Sequence, residues 1–365
     1  MLIKKEDNMS DLENNDLKNK LTSIIILNYN GAKVLHNCIE SIYKTTKEKF
    51  EIIVIDNNSI DNSHNECKKQ FPGIVLIENS ENIGMTARNI GIENSNGEFI
   101  VFLDSDTIVE PDWLTNFLSS YDIHGEGLYQ PKFMEIERKN VINSAGNMIN
   151  VFGLTYLRGR GEIDSGQFND FKIISYTGGA CTFASKDTIK KIGNVDPIFF
   201  AYHDDVDYGW RGWLLEIPSY YESKSIVYHY GSPTLNWSSK KFFLLERNRW
   251  ICLLTLYSRT TLLKIFPLLL IVEIGMLGFF IKKRMLIMKI KSFFSIIKLL
   301  REIEKRKTKI DKSRISLDKK IIIRLITNGS YMANPVIQQS LSLISNFNRE
   351  IWFKIDGVKE HDIQT

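Results

Sequence analysis

From Leu21 onward, short apolar runs alternate with amphipathic stretches of about ten to fifteen residues, the rhythm of β-strands linked by helices. Residues 23–27 predict a first strand, and Asn28-Tyr29-Asn30-Gly31 a turn. Residues 34–43 carry apolar side chains at helical spacing, and residues 51–55 predict a second, buried strand. Strands at 74–78 and 98–103 and a helix at 86–93 complete the first half of an α/β fold with a parallel sheet. Between 129 and 171 the pattern weakens and glycines recur, which predicts irregular or antiparallel structure. Regularity returns at 176–184, and a helix follows at 186–192. No repeat of about twenty to fifty residues is present, which excludes a solenoid.

Beyond Trp250 the pattern changes. Residues 262–281 form an apolar block of about the length that crosses a bilayer, interrupted by Lys264, Pro267 and Glu273. Residues 282–301 then place Leu286, Ile290, Phe293, Ile297 and Leu300 on one helical stripe among lysines and arginines. The expectation is a set of membrane-associated helices over 251–310, spanning or lying in the interface, with a membrane surface as partner. Residues 311–365 form a C-terminal element to which the sequence assigns no role. Residues 1–20 are polar, lack the apolar core of a signal peptide and predict a disordered segment, which leaves the catalytic part on the cytoplasmic side.

Charge and cysteine content narrow the partners. A net charge of +4 from 47 basic and 43 acidic residues excludes a nucleic-acid polyanion. The four cysteines are far apart in sequence, with no zinc-like spacing, and read as reduced, buried thiols.

Chemistry concentrates where strands end. Open α/β sheets bind ligands at the carboxyl ends of their strands. There the chain carries Asp56-Asn57-Asn58-Ser59, Asn82-Ile83-Gly84 and Asp104-Ser105-Asp106. Two carboxylates one residue apart can share a divalent cation, and hard oxygen ligands favour Mg²⁺ or Mn²⁺. A second acidic run is His203-Asp204-Asp205-Val206-Asp207. Each motif also has a plainer reading: Asp56 with Ser59, or the aspartates before Tyr208, could cap helices, and Trp210 could fill the core.

Taken in order, Ile24 to Gly31, Glu51 to Ser59, Asn82-Ile83-Gly84, Ala87-Arg88-Asn89, Leu103 to Asp106, Gly178-Gly179-Ala180 and Tyr202 to Asp207 resemble the family 2 glycosyltransferases of GT-A fold, over residues 22 to about 232. The resemblance implies a GT-A catalytic domain at 21–250 with a mixed, mostly parallel sheet and flanking helices. It also implies an inverting glycosyltransferase of rhamnosyl-like type, working at the cytoplasmic face of a membrane. A nucleotide-sugar donor would meet Tyr29, Asp56, Asn82, Arg88 and Asp104; Asp106 and His229 would hold Mg²⁺ or Mn²⁺. Asp205 would be the general base, and Gly179, Ala180, Asp204 and Trp210 would face a lipid-linked or glycan acceptor. Asp204 departs from the family pattern, which has Glu there. Glu246-Arg247-Asn248-Arg249-Trp250 resembles a feature of membrane-linked relatives, with arginines on an acceptor or lipid phosphate, or else a solvated helix face. A sugar-1-phosphate nucleotidyltransferase would need a glycine-rich, basic loop after strand one, which Asn28-Tyr29-Asn30-Gly31 does not provide. A catalytically dead sugar-nucleotide-binding module is opposed by intact Asp104, Asp106 and Asp205.

Overall fold

The computed structural model describes residues 17–32, 34–230, 238–318 and 321. Residues 1–16 of the expected disordered segment, and all of the C-terminal element except 311–318 and 321, lie outside the described residues.

Strands β1 (Thr22–Asn28), β2 (Phe50–Asp56), β3 (Val75–Glu78) and β4 (Phe99–Asp104) pair in parallel in the order β4-β1-β2-β3. The apolar runs of β1, β2 and β4 are continuous because both faces are covered, whereas β3 is a partly exposed edge. Ile24, Ile26, Ile52, Val54, Val101 and Leu103 pack into one cluster, and Ile25, Ile53, Ile55, Ile100 and Phe102 into another. Helices α1 (Leu35–Thr45), α2 (Ser63–Gln70), α3 (Ala87–Glu93), α4 (Trp113–His124) and α5 (Lys186–Ile192) flank this sheet. Leu35, Ile39 and Ile42 of α1 join Trp113, Leu114 and Phe117 of α4 on the first face, while Ala87 of α3 and Ile189 and Ile192 of α5 join the second.

The rest of the sheet is mixed. After β5 (Thr107–Val109) come β6 (Leu128–Glu135), β7 (Ile142–Ser144), β8 (Asn147–Ile149), β9 (Thr155–Leu157), β10 (Lys172–Ile174), β11 (Cys181–Ser185) and β12 (Ser219–His229). β11 lies antiparallel between β4 and β6, and β12 runs parallel to β6. The weakly patterned stretch is thus antiparallel where it is regular: β7 pairs with β6, and β8 and β9 form a separate two-stranded sheet.

Helices α6 (Asp204–Leu214), α7 (Ser239–Leu256), α8 (Arg259–Lys282), α9 (Leu286–Lys298) and α10 (Leu300–Ser313) complete the described chain. They share one core: Trp210 and Trp213 of α6 with Ile251, Leu253 and Leu256 of α7, Ile265, Leu269 and Val272 of α8, Ile296 of α9, and Ile303 and Ile310 of α10. α8 is long and apolar enough to cross a membrane. It nevertheless buries a stripe along its length, Thr261, Ile265, Leu269, Val272 and Phe280. Glu273, the carboxylate in its middle, is ion-paired to Arg249 of α7 and, at 2.7 Å, to Lys289 of α9. Glu246 of α7 closes this network, 3.0 Å from Arg249 and 2.5 Å from Lys289. Removing one partner of such a buried set costs about 3–5 kcal/mol, so α8 is fastened to its neighbours.

Candidate active site

Register sets the site. Leu27 lies opposite Asp104 and Asn28 opposite Asp56, which levels the carboxyl ends of β1, β2 and β4. From β1 the chain winds outward through β2 and β3 and then crosses back to β4 on the other side of β1, which makes the β1–β4 boundary a switch point, where open sheets form a crevice. The turn Asp104-Ser105-Asp106 emerges there and enters β5, which pairs antiparallel with the end of β12. His229 therefore stands opposite Thr107, and the Tyr230 N–H donates to the Asp106 carbonyl at 3.1 Å. The imidazole Nε2 is 3.5 Å from Asp106 Oδ1. Ligand atoms of Asp104, Asp106 and His229 all lie within 4.8 Å of one another. Two carboxylates and one imidazole, each partly buried, make a donor set that fits Mn²⁺ or Mg²⁺. Burial disfavours the imidazolium of His229, but the hydrogen bond and charge of Asp106, with the charge of Asp104, outweigh it and raise its pKa above 6.5.

Arg88 links this cluster to the second acidic run. Its Nη2 donates to Asp104 Oδ1 at 2.8 Å and to the Gly179 carbonyl at 2.6 Å. The Gly179 N–H in turn donates to Asp205 Oδ2 at 3.3 Å, and the Asp104 N–H to the Ala180 carbonyl at 2.9 Å. Gly179 and Ala180 thus lie between the two carboxylate groups because β11 enters the sheet beside β4.

On the other side of the crevice, Tyr29 is exposed at the end of β1. The buried Asp56 carboxylate accepts from Asn28 Nδ2 at 2.7 Å and from the Ser59 N–H and hydroxyl at 2.8 and 2.6 Å. The capping alternative for Asp56 and Ser59 is therefore realised as a turn, and His64 Nδ1 stands 3.4 Å from the same carboxylate. Asn82 Oδ1 accepts from the Gly84 N–H at 2.9 Å. Gly84 itself is left-handed at φ +67°, and a Cβ there would stand 2.1 Å from the Phe200 carbonyl oxygen. Only glycine permits that approach, which lets the Met85 N–H donate to the same oxygen at 2.8 Å.

The loop so contacted leads into α6. Phe200, Tyr202 and His203 are left-handed (φ 63°, 64° and 60°), an arrangement costing non-glycine residues roughly 1–2 kcal/mol each. It delivers Asp204 and Asp205 into the first turn of α6. Burial, then the charge of Asp205, pushes the Asp204 carboxyl up to about 7. Burial also raises Asp205, against the Val206 and Gly179 N–H groups that favour its ionised form.

Two expectations are corrected. Trp210 is 1% exposed and packs edge-on against Tyr257 with ring centroids 4.7 Å apart, so it fills the core and offers no face to an acceptor sugar. Arg249 is buried among Glu246 and Glu273, and Arg247 donates to the Ile198 and Phe199 carbonyls at 3.0 and 2.9 Å. These contacts hold the protein's own backbone and carboxylates, in place of a lipid phosphate or a solvated face. Sequence reasoning gave Asn248, between them, no role; it is buried beside Glu246 and Arg249, and nothing in the sequence of this mixed polar and apolar helix marks it.

Comparison with known proteins identifies a family match over part of the chain. The family model described as glycosyl transferase family 2 matches residues 23–193, which carry β1 through α5 and the Asp104–Asp106 turn. These residues belong to glycosyl transferase family 2. The glycosyltransferase domain is 35% identical over 113 residues to Glycosyltransferase AglE of Haloferax volcanii, covering 29% of this chain and 36% of that protein. It is 33% identical over 135 residues to Glycosyltransferase GlyG of Streptococcus pneumoniae, covering 36% and 40%. A Poly(ribitol-phosphate) beta-glucosyltransferase of Bacillus spizizenii is 37% identical over 94 residues, 24% of this chain and 15% of that one. The matches span well under half the length of these relatives. Among solved structures, GalNAc-T7 with UDP, GalNAc and Mn²⁺ superposes with a TM-score of 0.55 at 17% identity, over 66% of this chain and 48% of that one. The glycosyltransferase domain has the GT-A fold.

Proposed function

We propose that the chain is an inverting glycosyltransferase that moves a sugar from a nucleotide-diphosphate donor to a glycan or lipid-linked acceptor in cell-envelope synthesis. The observation carrying this reading is the unbroken connection from the Asp104–Asp106–His229 cluster through Arg88 and Gly179 to Asp205. Tyr29, Asp56 and the turn held by Asn82 form the nucleoside side of the crevice, and Arg88 lies where donor phosphate charge collects. Mg²⁺ or Mn²⁺ held by Asp106 and His229, with Asp104 shared between cation and ribose, would offset the charge that develops on the departing diphosphate. Asp205 accepts the proton of the acceptor hydroxyl as its oxygen bonds to the anomeric carbon and the bond to the diphosphate breaks. That single displacement inverts the anomeric centre. Asp204 and the Gly179-Ala180 backbone border the acceptor side.

The test is a panel of nucleotide sugars with and without Mn²⁺ or Mg²⁺, read as nucleoside diphosphate release. Cation-dependent release from one donor is expected. Consumption of nucleoside triphosphate with sugar phosphate would replace this reading with a nucleotidyltransferase, and no binding of any donor would leave a dead module.

The same reading places the protein on the cytoplasmic surface of a membrane, lying in the interface and not crossing it. Leu263, Phe266, Leu270, Ile271 and Ile274 of α8, and Ile290, Phe293 and Ile297 of α9, are exposed large apolar side chains. Lys282, Lys283 and Arg284 are exposed at the turn between the two helices. A spanning α8 would draw Arg249, Glu246 and Lys289 into hydrocarbon with Glu273, whereas an interfacial one keeps them on the protein side. Each cation near an anionic surface adds about 1 kcal/mol. Co-sedimentation with phosphatidylglycerol vesicles is expected to exceed that with phosphatidylcholine, to fall in an Ile290→Glu, Phe293→Glu variant, and to be reversed by alkaline carbonate. Retention after carbonate would instead indicate a span.

A further inference from the structure

The loop ahead of Asp204 is held by a helix outside the residues matched to the family. Each backbone carbonyl from Ile198 to Tyr202 is engaged by a donor from elsewhere in the chain. Arg247 Nη2 serves Ile198 and Phe199. The Met85 N–H serves Phe200. Asn248 Nδ2 serves Phe199, Ala201 and Tyr202 at 3.0, 2.8 and 2.7 Å. Asn248 is fully buried, and Arg247 Nε donates to its Oδ1 at 2.9 Å, which fixes which end of the amide faces the loop. The loop contains the left-handed Phe200, Tyr202 and His203, a conformation that persists only where its surroundings over-determine it. Asp205 follows two residues after His203, inside a rigid helical turn. A rotation released at Tyr202 therefore passes directly to the carboxylate.

We infer that Asn248 is a positioning residue for Asp205: its amide, oriented by Arg247, sets where the base stands relative to Gly179. The inference rests on Asp205 being the general base. No other side chain of this size meets the requirement, because Oδ1 must accept from Arg247 while the two Nδ2 hydrogens are shared among three carbonyls. Asp has the shape without the donors, and Leu has neither polar end.

The experiment compares Asn248→Leu and Asn248→Asp with wild type in full-length protein, measuring sugar transfer to acceptor, nucleoside diphosphate binding, and kcat across pH. The expected result for both is a fall in kcat on the order of 10²-fold, the scale of a misplaced catalytic group, with nucleotide affinity within about twofold of wild type. In Asn248→Leu, which adds no charge, the acid limb of the profile moves to higher pH as Asp205 loses the Gly179 N–H. Transfer within about threefold of wild type overturns the inference. A loss matched by loss of nucleotide binding, or with an unmoved acid limb, also overturns it and makes Asn248 a packing residue. If neither variant folds, Arg247→Met, at a partly exposed position, carries the test: a smaller loss in the same direction supports orientation of the amide, and unchanged kcat refutes it. Failure of the transferase reading would differ from all of these, since wild type itself would show no transfer.

Discussion

Asp205→Asn is expected to slow sugar transfer by roughly 10²–10⁴-fold, the usual contribution of a positioned base, while leaving nucleotide binding in place. The amide is isosteric, and its one oxygen can still accept from either the Gly179 N–H, now on Oδ2, or the Val206 N–H, now on Oδ1. It cannot take a proton. Transfer at normal rate in this variant would sink the assignment. The pH dependence supplies a second check. Asp204 and Asp205 are both raised, with Asp204 near 7, and two adjacent carboxylates titrate as a pair. Activity should therefore begin to decline at a pH above the range of an ordinary carboxylate. Asp204→Asn removes the neighbouring charge and should carry the acid limb to lower pH. Stability runs the other way. A carboxyl whose folded pKa exceeds its unfolded value of 3.8 binds more protons when folded, so its contribution is full below that value and is lost as pH rises toward 7. Thermal unfolding over the same range is expected to show the pair favouring the fold where catalysis fails.

Asp106→Ala should lower turnover by about 10²–10³-fold, the cost of removing one stabiliser of developing negative charge, and should abolish the response to added Mn²⁺ or Mg²⁺. His229 would lose the partner that most raises its pKa and would titrate lower. A cation titration of nucleoside diphosphate release separates the outcomes. A variant still stimulated by cation would move the ion elsewhere, whereas a variant with wild-type turnover and no stimulation would remove it from the mechanism. The loss should exceed that of Arg88→Lys, which keeps a positive charge beside Asp104 and loses only the forked contact to Gly179.

The parallel half of the fold was legible because each strand there is apolar on both faces. Predicted strands at 23–27, 51–55, 74–78 and 98–103 fall within one residue of the observed ends, and the helix at 186–192 coincides. β6 was hidden because it buries Gln130 and Lys132, the latter paired with Asp164 at 2.8 Å, so a core strand reads as a polar one. Its pairing with β12 depends on chain brought back from a distance, which no local period records. α4 was missed altogether. At the site, the aspartates could be read because strand ends are where the fold gathers polar groups. The support behind them could not, since Asn248 and Arg247 act through backbone carbonyls, contacts that only the folded chain creates. Trp210 misled because an aromatic beside an acidic run looks the same whether it faces a sugar or Tyr257.

Cys38, Cys67, Cys181 and Cys252 are all buried and unpaired, and burial raises every one of their thiol pKa values, to about 12 for Cys38 and about 11 for Cys67. The thiolate is the reactive form, so the folded protein presents almost nothing for alkylating reagents or mild oxidants to attack. A cysteine introduced at exposed Ile290 would consequently be a single reactive handle, and a polarity-sensitive dye attached there could report contact with lipid without any native thiol being removed.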